Sequence, residues 1–284
     1  MASRTHQLTV GRPPRSTLGT IAETLESIWE RRELISRLTL TAIRRRGADS
    51  VLGHVWWVLD PALQMVIYTI LVTFIRQRSQ PDFPLFIFVA LLPWKWFSSA
   101  LGTASESIRK RDKVLRQIAF PQITLPAANI VESVFEFCVG LIPLFALYLV
   151  YPNHLTLWVL ALPLIIIVQL LVTIPFAITL SAVNVFYRDI GNTLTHVLRL
   201  WFYLSPSLYS IETMRDMVKN YPALDFLVSL NPFTWIFSGY RDVLFAGRAP
   251  DLVPLLTLSV VSIFFTFVAI HIFRRMAPNF VKVL

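Results

Sequence analysis

Apolar residues in this chain run in long unbroken stretches, each about as long as a membrane is thick. A hydrocarbon core about 30 Å across takes about 20 residues of α-helix. Stretches of that size recur at Val55–Ile75, Phe83–Ala104, Ile123–Tyr151, Leu155–Phe186, Thr193–Ile211 and Leu252–Phe273. The pattern predicts an all-α membrane protein with six transmembrane helices in a domain covering 55–284. The third and fourth stretches are overlong, so they should tilt, kink or project beyond the lipid. Pro163 and Pro175 are kink points for the fourth, which could equally be two short helices.

The polar remainder fits the same picture. Residues 1–16 read as a disordered arm, and 17–54 as an amphipathic region. Within it, Thr20 and Glu23 have capping-box spacing. Ile21, Leu25, Ile28 and Ile35 recur at helical spacing, and Trp29, Arg31 and Arg32 lie beside them. Such a helix can lie in a lipid headgroup layer or pack on its own protein. Between the second and third stretches, Thr103 and Glu106 repeat the capping-box spacing, and Ile108, Leu115 and Ile118 form a short apolar stripe among basic residues. That helix can dock in a partner's groove or lie solvated at headgroups. Between the fifth and sixth stretches, Phe226–Tyr240 is apolar but too short to cross, and Asn231-Pro232 breaks it. Segments of this kind are re-entrant or interfacial.

Composition narrows the function. The chain has 284 residues, 55% hydrophobic and 15% charged, with mean hydropathy +0.60. A soluble domain carries about 25% charged residues. The net charge of +9 sits in flanks and loops and forms no folded basic patch, so nucleic acid is not the expected partner. Six spans with both termini cytoplasmic put eighteen Lys and Arg inside against six outside, which satisfies the positive-inside rule. No cleavable signal is expected, and the first span serves as the insertion signal. The lone Cys138 lies in an apolar stretch and is expected to pack there.

The glycines never form G-x-x-x-x-G-K-[ST], and no HExxH or GxSxG occurs, so no catalytic site is expected in this chain. Charges within spans carry more information, because each is costly in hydrocarbon and faces a partner or a cavity. Glu132 and Glu136 are four apart on the third span. Lys95 lies between Trp94 and Trp96 on the second, Arg199 lies on the fifth, and Asp60 and Gln64 share a face of the first. Either these groups line a path for a hydrophilic substrate, or a glutamate simply neutralises Lys95 or Arg199. Aromatic side chains offer flat surfaces to sugars. The channel-lining candidates are therefore Trp94, Lys95, Trp96, Phe97, Glu132, Glu136, Tyr203, Tyr209, Phe233 and Trp235.

Five segments carry a family resemblance. F-P-L-F-I-F-V-A-L-L-P-W-K-W-F-S-S-A-L (83–101), F-P-Q-I-T-L-P (120–126), S-A-V-N-V-F-Y-R-D-I (181–190), L-W-F-Y-L-S-P-S-L-Y (200–209) and L-N-P-F-T-W-I-F-S-G-Y-R (230–241) stand in register. Together they resemble the membrane subunit of ABC-2-type exporters of O-antigen, capsular polysaccharide or wall teichoic acid. The resemblance implies a homodimer bound to two copies of a separate ATPase chain, which holds ATP and magnesium. It implies transport of a lipid-linked glycan or polyol-phosphate polymer across the bacterial plasma membrane. It makes 105–120 the ATPase-coupling helix, with Ser105, Ile108, Arg109, Arg111, Asp112, Leu115, Arg116 and Phe120. It places Tyr187, Arg188 and Asp189 at the cytoplasmic mouth and makes Thr20–Leu38 an interface helix. The segment 212–241 becomes a re-entrant gate. An exporter of a small hydrophobic drug or lipid on the same fold is the alternative.

Overall fold

The computed structural model describes residues 17–48, 52–76, 82–117 and 120–284, and these are helical almost throughout. The expected arm 1–16 and Ile118 lie outside them. The amphipathic region forms two helices, α1 (Thr17–Glu30) and α2 (Arg32–Ala48), broken at Arg31. The long helices follow as α3 (Trp56–Arg76) and α4 (Phe83–Glu106), then, after the short α5 (Asp112–Gln117), α6 (Thr124–Leu147) and α7 (Leu162–Phe186). Next come α8 (Ile190–Tyr203), α9 (Ile211–Val218), α10 (Pro222–Leu230), α11 (Pro232–Leu244) and α12 (Leu252–Met276).

Five helices among the described residues are long and apolar enough to cross a membrane, and they fall on predicted stretches one to four and six. The fifth stretch is different. Its helix, α8, has 14 residues, about 21 Å of rise, and stops before the turn containing Pro206. The fourth stretch is one helix rather than two. Pro163 sits at its first turn, where a missing N–H costs nothing, so it opens α7 instead of kinking it. Asn231 does break its segment as read. Its side chain caps α11 by accepting from Phe233 N at 3.0 Å, while Pro232 supplies the first turn.

Helix α4 is the centre of the bundle, packed by α3, α6, α7, α8 and α11. A cluster of rings fastens it: Phe233 of α11 lies 4.8 Å from Trp94, 4.6 Å from Phe97 and 5.6 Å from Trp201, centroid to centroid. On the α6 side the backbone comes close at Gly140, where a Cβ would stand 2.5 Å from Leu92 Cδ1.

One end of the bundle is basic. There Ile108, Leu115, Phe273 and Phe280 bury together, joined by Ile28, Leu38 and Phe120. Helix α2 lies along α6, with Thr39 Oγ1 donating to Ala128 O at 3.1 Å. Helix α1 reaches α12, where Arg274 meets Glu23 at 3.3 Å. At the opposite end, Tyr148 donates to Leu244 O at 2.6 Å. His154 lies 2.6 Å from Phe245 O and 3.2 Å from Asp82. The turn after α8 is held by the buried Arg241, which donates to the carbonyls of Pro206 (2.6 Å), Ser207 (2.6 Å) and Tyr209 (3.0 Å). Its guanidinium stacks 3.8 Å from the Phe86 ring centroid.

Two expectations fail in detail. Thr103 and Glu106 do not cap a new helix, because both lie in the last turn of α4, where Thr103 Oγ1 bonds back to Ser99 O at 2.8 Å. Cys138 is exposed on α6 rather than packed.

Candidate functional site

A cavity of about 1020 Å³ opens along one flank of α4, walled by α3, α8 and a strip of α6. Each wall is a four-residue register, the spacing that puts side chains on one helix face. Helix α3 contributes Asp60, Gln64 and Tyr68, α4 contributes Lys95, Ser99 and nearby Trp94, and α8 contributes Thr195, Arg199 and Tyr203. Trp56 and Trp57 stand at the start of α3, next to the basic end. The lining therefore sets rings and hydrogen-bonding groups on all three main walls, among aliphatic side chains such as Ile67, Leu71, Leu91 and Leu194.

Its charges are arranged otherwise than the sequence suggested. Lys95 pairs with Asp60, not with a glutamate, and Gln64 donates to the other Asp60 oxygen at 3.2 Å. Glu136 accepts from Ser99 Oγ at 2.8 Å. Glu132, one turn earlier, is 4% exposed and turned away from the cavity, toward the basic end. There it draws on Arg111. Burial pushes the Arg111 guanidinium below its usual range, Glu132 pulls it back up, and Arg45 pushes it down again.

The ten channel-lining candidates thus divide. The cavity gathers Trp94, Lys95, Trp96, Glu136 and Tyr203. Phe97 and Phe233 are fully buried in the ring cluster and reach no cavity wall. Tyr209 donates to Tyr203 O at 2.9 Å, within the turn that Arg241 holds. Trp235 donates to Ser229 O at 2.9 Å and lies under Arg215. Sequence reasoning missed Tyr68, Ser99 and Thr195, although the steps Asp60–Gln64–Tyr68 and Thr195–Arg199–Tyr203 were there to be read.

The expected coupling segment is an irregular tip rather than one helix. Ser105 ends α4 and its carbonyl accepts from Asn184 at 2.9 Å. A single 3₁₀ turn, Arg109–Arg111, then leads into α5. Ile108 and Leu115 point into the molecule's own core, so these two members of the stripe read as a docking face are already spent. What remains outward is charged: Lys110, Lys113 and Arg116 are exposed, and Asp112 accepts from Lys113 N at 2.6 Å. Arg109 reaches Arg188 O at 3.5 Å, tying the tip to the exposed turn Tyr187, Arg188 and Asp189 between α7 and α8. Trp29 is 71% exposed on α1. Arg32 lies over its ring at 5.3 Å, and Arg31 is also exposed.

The family model of the ABC-2 type transporter matches residues 33–245. The chain belongs to the ABC-2 type transporter family. An O-antigen export system permease protein of Myxococcus xanthus is 31% identical over 91% of this chain and 98% of its own length. A permease of the same name from Klebsiella pneumoniae is 27% identical over 89% and 95%. A polysialic acid transport protein of Escherichia coli is 22% identical over 84% and 92%. The ABC-2 match takes in α2 through α11, so every wall of the cavity falls within it.

Proposed function

We propose that this chain is the transmembrane subunit of an ATP-driven exporter that moves a lipid-linked polysaccharide across the bacterial plasma membrane. The observation that carries the reading is the cavity lining, with rings and hydrogen-bonding groups on all three main walls. Rings suit the C–H faces of sugars and polar groups suit their hydroxyls, whereas a small greasy cargo does not need the two together. The relatives named for O-antigen and polysialic acid export support the same class of cargo.

In this reading two copies face each other across their cavities, and two ATPase chains sit under the basic end. Helix α8 and the turn after it make the fifth of six crossings, both termini are cytoplasmic, and α9 to α11 form the outer gate. ATP closure in the partner pushes on the tip 105–120 through its outward basic side chains, while Ile108 and Leu115 pass the push into α6, α7 and α12. The lipid carrier enters past α1 and α2, where Arg31, Arg32 and Arg44 attract its phosphates. Tyr187, Arg188 and Asp189 stand at the mouth.

The test is reconstitution in liposomes with and without a partner ATPase chain. ATP-dependent movement of lipid-linked polymer is expected only when both subunits are present. Scrambling residues 109–117 should abolish transport while leaving the ATPase able to hydrolyse ATP. Export by this chain without an ATPase would overturn the reading.

A further inference from the structure

Resting on the polysaccharide reading, we propose that Lys95 and Arg199 form an anion site in the cavity that takes a carboxylate or phosphate group carried on the exported chain. Arg199 lines the cavity from α8 and makes no ion pair among the described residues. Arg199 is exposed on α8, and a guanidinium offers only donors. Its natural complement is therefore an anion that arrives with the cargo.

Lys95 is prepared for the same exchange. Its ammonium has three protons to donate, and Asp60 is the acceptor it pairs with. The Asp60 side chain is half exposed, against about a quarter for Lys95, so Asp60 is the outer member of the pair and has to yield before an anion reaches Lys95. Gln64 keeps a hydrogen bond to Asp60 when Lys95 turns away. Asp60 thus acts as a stand-in that holds Lys95 when the cavity is empty and yields to a ligand of the same charge. Tyr203, one turn from Arg199 on α8 and exposed, supplies ring surface for the adjoining sugar. Glu136, which accepts from Ser99, is the other carboxylate of the lining, and a neutral polymer would bring Arg199 no anion of its own.

The experiment measures quenching of tryptophan fluorescence in the full-length chain, held with its ATPase in nanodiscs, by three probes: trigalacturonate, inorganic pyrophosphate and maltotriose. At least one anionic probe should bind about tenfold more tightly than maltotriose, the scale of a charge-assisted hydrogen-bonded pair. Lys95→Gln and Arg199→Gln should each remove that preference, weakening the anionic probe far more than maltotriose. Asp60→Asn should tighten the anion, the opposite sign to a merely structural loss. Trigalacturonate binding alone would assign the site to acidic sugars, and pyrophosphate binding alone to the lipid-linkage phosphates. Equal affinity for all three probes, or equal weakening of all three in the variants, overturns the anion site and leaves the conduit intact. Failure of every probe, maltotriose included, takes down the conduit reading itself.

Discussion

Helices α3 and α4 are neighbours with nearly the same hydropathy, 1.8 and 1.5, yet 6% of the first and 72% of the second is buried within the chain. The less apolar helix is the more buried one. In water this would be perverse. In a bilayer it is expected, because lipid tails are as apolar as leucine and hydrophobicity alone draws no helix inward. Shape decides instead. Helix α4 offers rings that interlock with those of α8 and α11, and a leucine that fits against a glycine. Helix α3 offers a polar stripe to the cavity and leaves its remaining surface exposed.

That contrast can be broken most forcefully in the rings. Phe88→Ala on α4 removes a side chain with no exposure and should cost about 3–5 kcal/mol, read as thermal unfolding of the purified chain in detergent. Phe74→Ala on α3, where the ring is 83% exposed, should cost less than about 0.5 kcal/mol. Equal losses would show that α3 is a core helix after all. A smaller effect is expected at the α4–α6 contact. Gly140→Ala drives a methyl against Leu92 and should cost about 1–2 kcal/mol by overpacking, relieved in the double variant with Leu92→Ala. The smallest effect belongs to the cavity wall. Ser99→Ala strips Glu136 of a donor and should cost about 1 kcal/mol, with transport in the reconstituted exporter falling further than stability does.

The sequence made the long helices legible because bilayer thickness is a ruler that hydropathy can read. It failed where composition and backbone disagree. Leu200–Ile211 is apolar enough to extend a span, but Pro206 and the polar serines around it turn the chain, so α8 ends at Tyr203. Thr103 and Glu106 have a cap's spacing without a cap's position. The stripe Ile108 and Leu115 was correctly read as apolar, and only the fold showed that the molecule itself consumes it. The pairing of Lys95 with Asp60 joins residues 35 apart in sequence, which no local spacing encodes. The register of Asp60, Gln64 and Tyr68 was readable throughout, since it needs only the helical period.

Arg241 gives the end of the molecule opposite the basic one an unusual property. By gripping the carbonyls of Pro206, Ser207 and Tyr209, it welds the turn after α8 to the last turn of α11, and α11 is in turn keyed into α4 by Phe233. A tilt of α8, whatever starts it, is at once shared among three helices. That end of the bundle therefore behaves as a single lever, and no part of it can be loosened without loosening the whole.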